Sequence, residues 1–351
     1  MSLVQTLMQP LRSQYAGSLD KNEARGSRYG AWDFFNEDNR RSDSIFDADI
    51  RAKIKSSFGN SVVIPVLDAK TVTIGNVRSC TIADDENTSK LVTLTFATLA
   101  FGFTMYPAMY ENNDIKYQTD FTRKLKNYTN QLASVLDSAA IAALEAAKNQ
   151  FWTGIAAYYP ETADALQVTN AQKNDYYNNV QAILETMDFY GVPHIISSTS
   201  GSPLVRRLAE QGAGNTTNEA WQLTPYEFHW TNRIPNAGGI ASTQYIVQEG
   251  SVGYETRVDP DSRLGHSVGN QIKWSTVNVP LPNTPNGITM GSLYREDCSD
   301  ASNIMTSGST GLTATKREGF QWSVDIAFST AYNSDPANRY NPIVKTEISA
   351  T

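Results

Sequence analysis

The stretch from Thr119 to about Thr153, TDFTRKLKNYTNQLASVLDSAAIAALEAAKNQFWT, contains neither proline nor glycine and constrains the fold more than any other part of the chain. Phe121, Leu125, Tyr128, Leu132, Val135, Ala139, Ala143 and Ala146 recur at the alternating three- and four-residue spacing that keeps side chains on one helical face. The spacing predicts one uninterrupted helix, capped by Thr119 or Asp120 and ended at Gly154. At roughly 1.5 Å of rise per residue it would be about 50 Å long, so something long must lie along it. In its first half the opposite face carries Arg123, Lys126, Asn127, Asn130 and Asp137, which predicts solvent or a polar partner. In its second half Ile141 and Leu144 stand there among alanines, which predicts neighbours packing from more than one side.

Two long extended runs precede this helix, Ser61 to Ser79 and Ser89 to Tyr106, with a turn-rich ADDENTS from Ala83 to Ser89 between them. Val92, Leu94 and Phe96 alternate with Thr93, Thr95 and Ala97, the period of two of a strand with distinct faces. The pair predicts a β-hairpin with arms of up to roughly 18 residues, against about 5 or 6 in an ordinary strand. A two-stranded ribbon is marginal alone in water, so a projecting one implies a covering subunit. Pro65 and Gly102 suit an edge position.

Residues 1 to about 44 form a polar arm, punctuated by Pro10, Gly17, Gly26 and Gly30, whose aromatics Tyr29, Trp32, Phe34 and Phe35 are expected to anchor on a neighbour. A short helix follows in FDADIRAKIKSSF. Beyond the long helix, residues Tyr176 to Tyr190 read as a shorter helix, and GVPHIISSTSGSP as strand, tight turn and helix start. From Gly212 onward the chain is loop-rich, with short strands that look antiparallel, clearest in GFQWSVDIAFSTAY, and PIVKTEI as a strand returning to the main body. The whole is α+β.

Composition narrows the function. Lys plus Arg number 29 against 36 Asp plus Glu, a formal charge of −7, the reverse of the balance in proteins that grip phosphate backbones. The first residues lack the basic start and apolar run of a signal peptide or spanning helix, so no membrane partner is expected. Cys80 and Cys298 give no disulfide framework, and the sequons at Asn87, Asn127 and Asn215 are read as chance. His194, His229 and His266 are the only histidines, and no two have metal-ligand spacing. Ser198, Ser200 and Ser202 are read as helix capping, since the segment lacks a nucleophile elbow and a phosphate-loop lysine. No catalytic residue, cofactor or metal is expected, and the absence of a motif beside an extended hairpin points to a structural, non-enzymatic role.

The order of elements resembles the major capsid protein of tailed bacteriophages, a shell fold shared with herpesvirus capsid floors and encapsulins. The features that carry the resemblance are the polar arm, the extended loop VVIPVLDAKTVTIG…KLVTLTFATLAFGFTMY, the spine helix from Asp120 to Trp152, and a later mixed domain containing YIVQEGSVGYETRVDPDSR. The resemblance implies an arm and short helix over 1–58, an extended loop over 59–108, and a peripheral domain with the spine helix over 109–174. It further implies an axial domain over 175–300, then axial strands and a return to the peripheral domain over 301–351.

It implies a homo-oligomer of hexamers and pentamers forming an icosahedral virion shell around double-stranded DNA, assembled in the bacterial host cytoplasm. A separate scaffolding protein, a portal and decoration proteins would be partners. Lys70, Asp84, Asp85, Glu86, Lys90, Arg123, Lys124 and Lys126 are the candidate inter-subunit contacts, and no Lys–Asn cross-link is expected. The alternatives are an encapsulin-like protein compartment and a carbohydrate-binding module or enzyme.

Overall fold

The computed structural model describes residues 29–41, 45–67 without 47 and 58, 89–110, 114–213 without 156–157, 226–299 without 270 and 283, and 315–350. Helix α1 (Gly30–Asp38) and helix α2 (Ala48–Ser56) lead into strands β1 (Ser61–Leu67), β2 (Ser89–Thr95) and β3 (Ala97–Met105). The spine helix α3 (Asp114–Ala147) follows, then β4 (Glu161–Thr162), β5 (Ala165–Val168), α4 (Tyr176–Thr186), β6 (Pro193–Ser198) and α5 (Ser202–Ala213). The remainder is β7 (Glu227–Thr231), β8 (Ile240–Gln248), β9 (Val252–Arg257), α6 (Pro260–Leu264), β10 (Ser267–Val268), β11 (Ile272–Leu281), β12 (Thr284–Ser299), β13 (Thr315–Thr330) and β14 (Ile343–Ser349).

These strands form a ribbon of β1 and β2 and two larger sheets. The central sheet has the order β4-β5-β14-β8-β6-β7, with β14–β5 and β6–β7 parallel and its other pairs antiparallel. Alternation gives it two apolar faces. Ile195, Ile246, Val344 and Ile348 pack under Tyr176, Tyr177, Val180, Ile183 and Leu184 of α4, while Ile196, Tyr245, Val247 and Ile343 face α1 and the spine. The second sheet runs β10-β11-β12-β13-β3. Asp325 and Ile326 of β13 pair with β3 and also with β9, so β9 lies on the side opposite β3, continuing where β12 stops pairing at Ser323.

The spine helix serves both sheets. Its first half buries Phe121, Leu125, Leu132 and Leu136 on Phe320, Trp322, Val324 and Ile326 of β13 and on Val277 and Val279 of β11. Its second half buries Ala140, Ile141 and Leu144 between Phe34 and Phe35 of α1 and Tyr245, Val247 and Ile343 of the central sheet. Burial from more than one side is what the alanine-rich half predicts.

Several details differ from the sequence reading. The helix spans Asp114–Ala147 rather than 119–153, because the buried Asn149 donates its backbone N–H to the Ile343 carbonyl at 2.7 Å and accepts from the Asn341 N–H at 2.8 Å, drawing the chain onto β14. Gly154 does adopt a left-handed φ of 85°, in a later turn. The buried stripe is rotated, so Tyr128 and Val135 are 38% and 39% exposed, whereas Thr129 and Asp137 are fully buried. The second hairpin arm is two strands, divided at Phe96, with β3 leaving the ribbon for β13. The arm aromatics Tyr29, Trp32, Phe34 and Phe35 are buried in their own chain rather than on a neighbour.

Trp322, fully buried at the centre of the spine contact, stacks on Phe101 and Phe320 and meets Phe121 edge-on. Trp322→Ala should lower the unfolding free energy by about 3–5 kcal/mol in urea denaturation followed by circular dichroism.

Candidate assembly surfaces

The ribbon is half core and half open face. On its inner side Val62, Ile64, Leu94 and Phe96 pack with Phe46 and with Ile54 of α2, so the described part of the hairpin, expected to be covered by another subunit, has one face on a core within its own chain. On the outer side Pro65 stands opposite Leu91 and Val63 opposite Thr93. Leu91 is 71% and Val63 40% exposed, so this row presents apolar surface among the described residues.

Arg257 fixes the root of the ribbon. Its guanidinium binds Oδ2 of Asp325 through Nε at 3.3 Å and Nη2 at 3.2 Å, lies over the Phe96 ring at 4.6 Å, and donates to the Ser57 hydroxyl and the Gly59 carbonyl. One buried cation thereby links β9, β13 and the entry to β1. A planar fork with five donors can make such a junction; a lysine cannot.

A second junction holds α1. The buried Asp137 accepts from the Trp32 backbone N–H through Oδ1 at 3.0 Å and from the Thr231 hydroxyl through Oδ2 at 2.6 Å, with Arg233 Nη1 3.5 Å from Oδ2. Burial raises the Asp137 carboxyl above its usual range, and the hydrogen bonds and the Arg233 charge oppose that rise. At the other end of α1, Asp38 accepts from the Gly250 and Val252 N–H groups at 2.7 and 3.1 Å, and Arg41 binds Glu249 at 2.6 Å. Burial also lifts Asp33, to about 7, with the charges of Glu37 and Asp137 adding to it and Arg40 opposing.

Of the residues predicted to meet other subunits, Lys70, Asp84, Asp85 and Glu86 lie outside the described residues. Lys90 is exposed on β2, and Arg123 is exposed on the spine. Lys124 and Lys126 are partly buried, and Lys124 pairs within its own helix with Asp120 at 2.9 Å. Tyr128 and Val135, seven residues apart on the same spine, are exposed apolar groups not in the predicted set. Ser198 and Ser200 bond one another at 2.7 Å, and Ser198 reaches Ser242 at 3.1 Å; the Ser198 side chain makes no cap hydrogen bond to the helical turn that follows.

Arg257 is not foreseen from the sequence, and Asp137 is expected on a face meeting solvent or a polar partner; it is buried against the polar partners Trp32 N–H and Thr231. A stripe drawn through Phe121, Leu125, Thr129, Leu132 and Leu136 would have put Asp137 beside it. Nor did the reading bring His194 and His229 together: neighbouring strands place Nδ1 of one 3.0 Å from Nε2 of the other. Burial, with the His194 charge second, lowers His229 to about 4.

No protein-family model matches the chain, and no curated protein matches it. Solved structures do. The chain is similar to one in the cyanophage Pam1 capsid asymmetric unit, with 10% identity, coverage of 95% of this chain and 97% of that one, and a TM-score of 0.50. A chain from Mycobacterium phage Che8 gives 9% identity, 93% coverage of each chain and a TM-score of 0.49. One from the capsid of Ralstonia phage GP4 gives 9%, coverage of 95% and 97%, and 0.45. The fold is therefore the mixed helix-and-sheet fold of a phage capsid chain, as the resemblance implied.

Folded Asp33 keeps its proton up to about pH 7, whereas the unfolded group releases it near 3.8. Its contribution to stability is complete below the lower value and is lost as pH rises through the upper one. Urea denaturation across that range should show wild-type stability falling relative to Asp33→Asn, which cannot ionise; parallel curves would contradict the burial of this carboxyl.

Proposed function

We propose that the chain is a structural subunit of a virion shell, a major capsid protein that associates through its ribbon and spine into pentamers and hexamers. The observation that carries this reading is the likeness to the Pam1 capsid chain over 95% of one chain and 97% of the other. The ribbon geometry supports it independently. Among the described residues Leu91 is 71% exposed on the outer row, apolar area that a neighbouring subunit would remove from water.

In this reading Lys90, Arg123, Lys124 and Lys126 on the described surface, together with Lys70, Asp84, Asp85 and Glu86, lie at subunit boundaries. Each exposed charge pair adds little alone, and many contacts repeated around a closed shell add through multivalency. Double-stranded DNA is the enclosed cargo, held without tight binding because the chain carries a formal charge of −7. The role is structural rather than catalytic, with a separate scaffolding protein, a portal and decoration proteins as partners, the virion as destination and the host cytoplasm as assembly site. No described helix is long and apolar enough to cross a membrane.

Sedimentation velocity of the purified chain tests this. The wild type should form large discrete species, and Leu91→Asp should remain small with an unchanged circular dichroism spectrum, since Leu91 is 71% exposed among the described residues. A wild type that stays monomeric at every concentration would overturn the reading.

A further inference from the structure

Strand β7 runs parallel to β6 with Glu227 opposite His194 and His229 opposite Ile196. The period of two then sets His194, Glu227 and His229 on one face of the sheet, at its β7 edge. Nδ1 of His194 lies 3.0 Å from Nε2 of His229 and 3.5 Å from Oε2 of Glu227, and one donor atom from each of the three residues falls within 4.8 Å of the others. Two imidazole nitrogens bound to one tetrahedral zinc ion at about 2.0–2.1 Å sit about 3.3 Å apart, so the rings need to open by only a few tenths of an ångström.

What surrounds the trio matters as much. Nε2 of His194 lies 3.3 Å from Oε1 of Glu249, whose other oxygen is held by Arg41 at 2.6 Å. A carboxylate there draws the ring proton to Nε2 and leaves the Nδ1 lone pair facing His229 and Glu227, the arrangement by which outer carboxylates orient metal-binding histidines. Phe34 of α1 covers both rings at centroid distances of 4.8 and 5.4 Å. The His194 side chain is 4% exposed and that of Glu227 is 55% exposed, so the trio has one dry wall and one open side through which an ion can enter and water can complete its coordination.

We propose that His194, His229 and Glu227 bind one divalent transition-metal ion of the zinc class, with Glu249 as the outer carboxylate. The ion joins edge strand β7 to β6, and through Glu249 and Phe34 it also braces α1 and the segment after it. Imidazole and carboxylate donors favour zinc, cobalt or nickel over calcium or magnesium, which prefer sites built wholly of oxygen. The reading of the chain as a shell subunit is not needed for this site.

Calorimetric titration of the full chain, dialysed against a chelator and then supplied with zinc chloride alone, tests it. One zinc ion per chain is expected. His229→Gln should abolish uptake, Glu249→Gln should weaken it roughly 10–100-fold, and His266→Gln should leave it unchanged. Because His229 is largely buried, Glu227→Gln at the exposed edge provides a second variant that should weaken uptake with the fold intact by circular dichroism. Cobalt chloride should give the intense visible absorption of a four-coordinate ion. The proposal is overturned if the wild type takes up no zinc, if uptake survives both His229→Gln and Glu227→Gln, or if His266→Gln is the variant that loses it.

Discussion

Asp137, fully buried in the middle of the spine helix, accepts hydrogen bonds from Trp32 and Thr231, so three segments far apart in the chain converge on one carboxylate. Removing a carboxylate from water is expensive, and it persists in such a place only if its oxygens are satisfied. Here both oxygens have acceptable partners only when α1 lies against the spine and β7 lies beside α1. The carboxylate therefore acts less as a source of stability than as a test of correct arrangement. Alternative packings of these segments would leave it buried without its donors.

From that junction the architecture divides. On one side of Asp137 the spine covers the long-stranded sheet through Phe121, Leu125 and Leu132, and on the other it covers the central sheet through Ala140, Ile141 and Leu144. The alanines allow the close approach of α1, whose aromatics fill the space between helix and sheet. Arg257 repeats the logic at the base of the ribbon with the opposite charge, collecting Asp325, Ser57 and Gly59. Both junctions pin peripheral pieces, the arm helix and the ribbon, to the body of the chain. The lone chain is thus well defined where it joins its own sheets, and open along the outer row of the ribbon.

Much of this was readable from local pattern. The helix and its two unlike halves, the α+β class and the strand through Trp322, Val324 and Ile326 all follow from periodicity, because each has a face that must be buried. The errors are physical too. Tyr128 and Val135 keep helical spacing with the true stripe, but Tyr128 stacks on Phe101 and Phe103 at the rim rather than entering the core. Leu94 and Phe96 stand at even positions whereas Leu99, Phe101, Phe103 and Met105 stand at odd ones. That slip in phase marks where the chain leaves the ribbon for the second sheet. Asp137, Arg257 and the His194–His229 pair had no local signal of comparable strength, since what defines them is contact between residues 35 to 200 apart in sequence.

Some contacts are complete within one chain and others need a neighbour, and hydrogen exchange measured before and after particle assembly addresses that division directly. The Trp32 amide, bonded to Asp137, should exchange slowly in both forms, while the ribbon amides of Ser61–Leu67, where Pro65 has none, and of Ser89–Thr95 should exchange faster in the free subunit than in the particle. Ribbon amides with the same protection in both forms, or a Trp32 amide protected only after assembly, would contradict it.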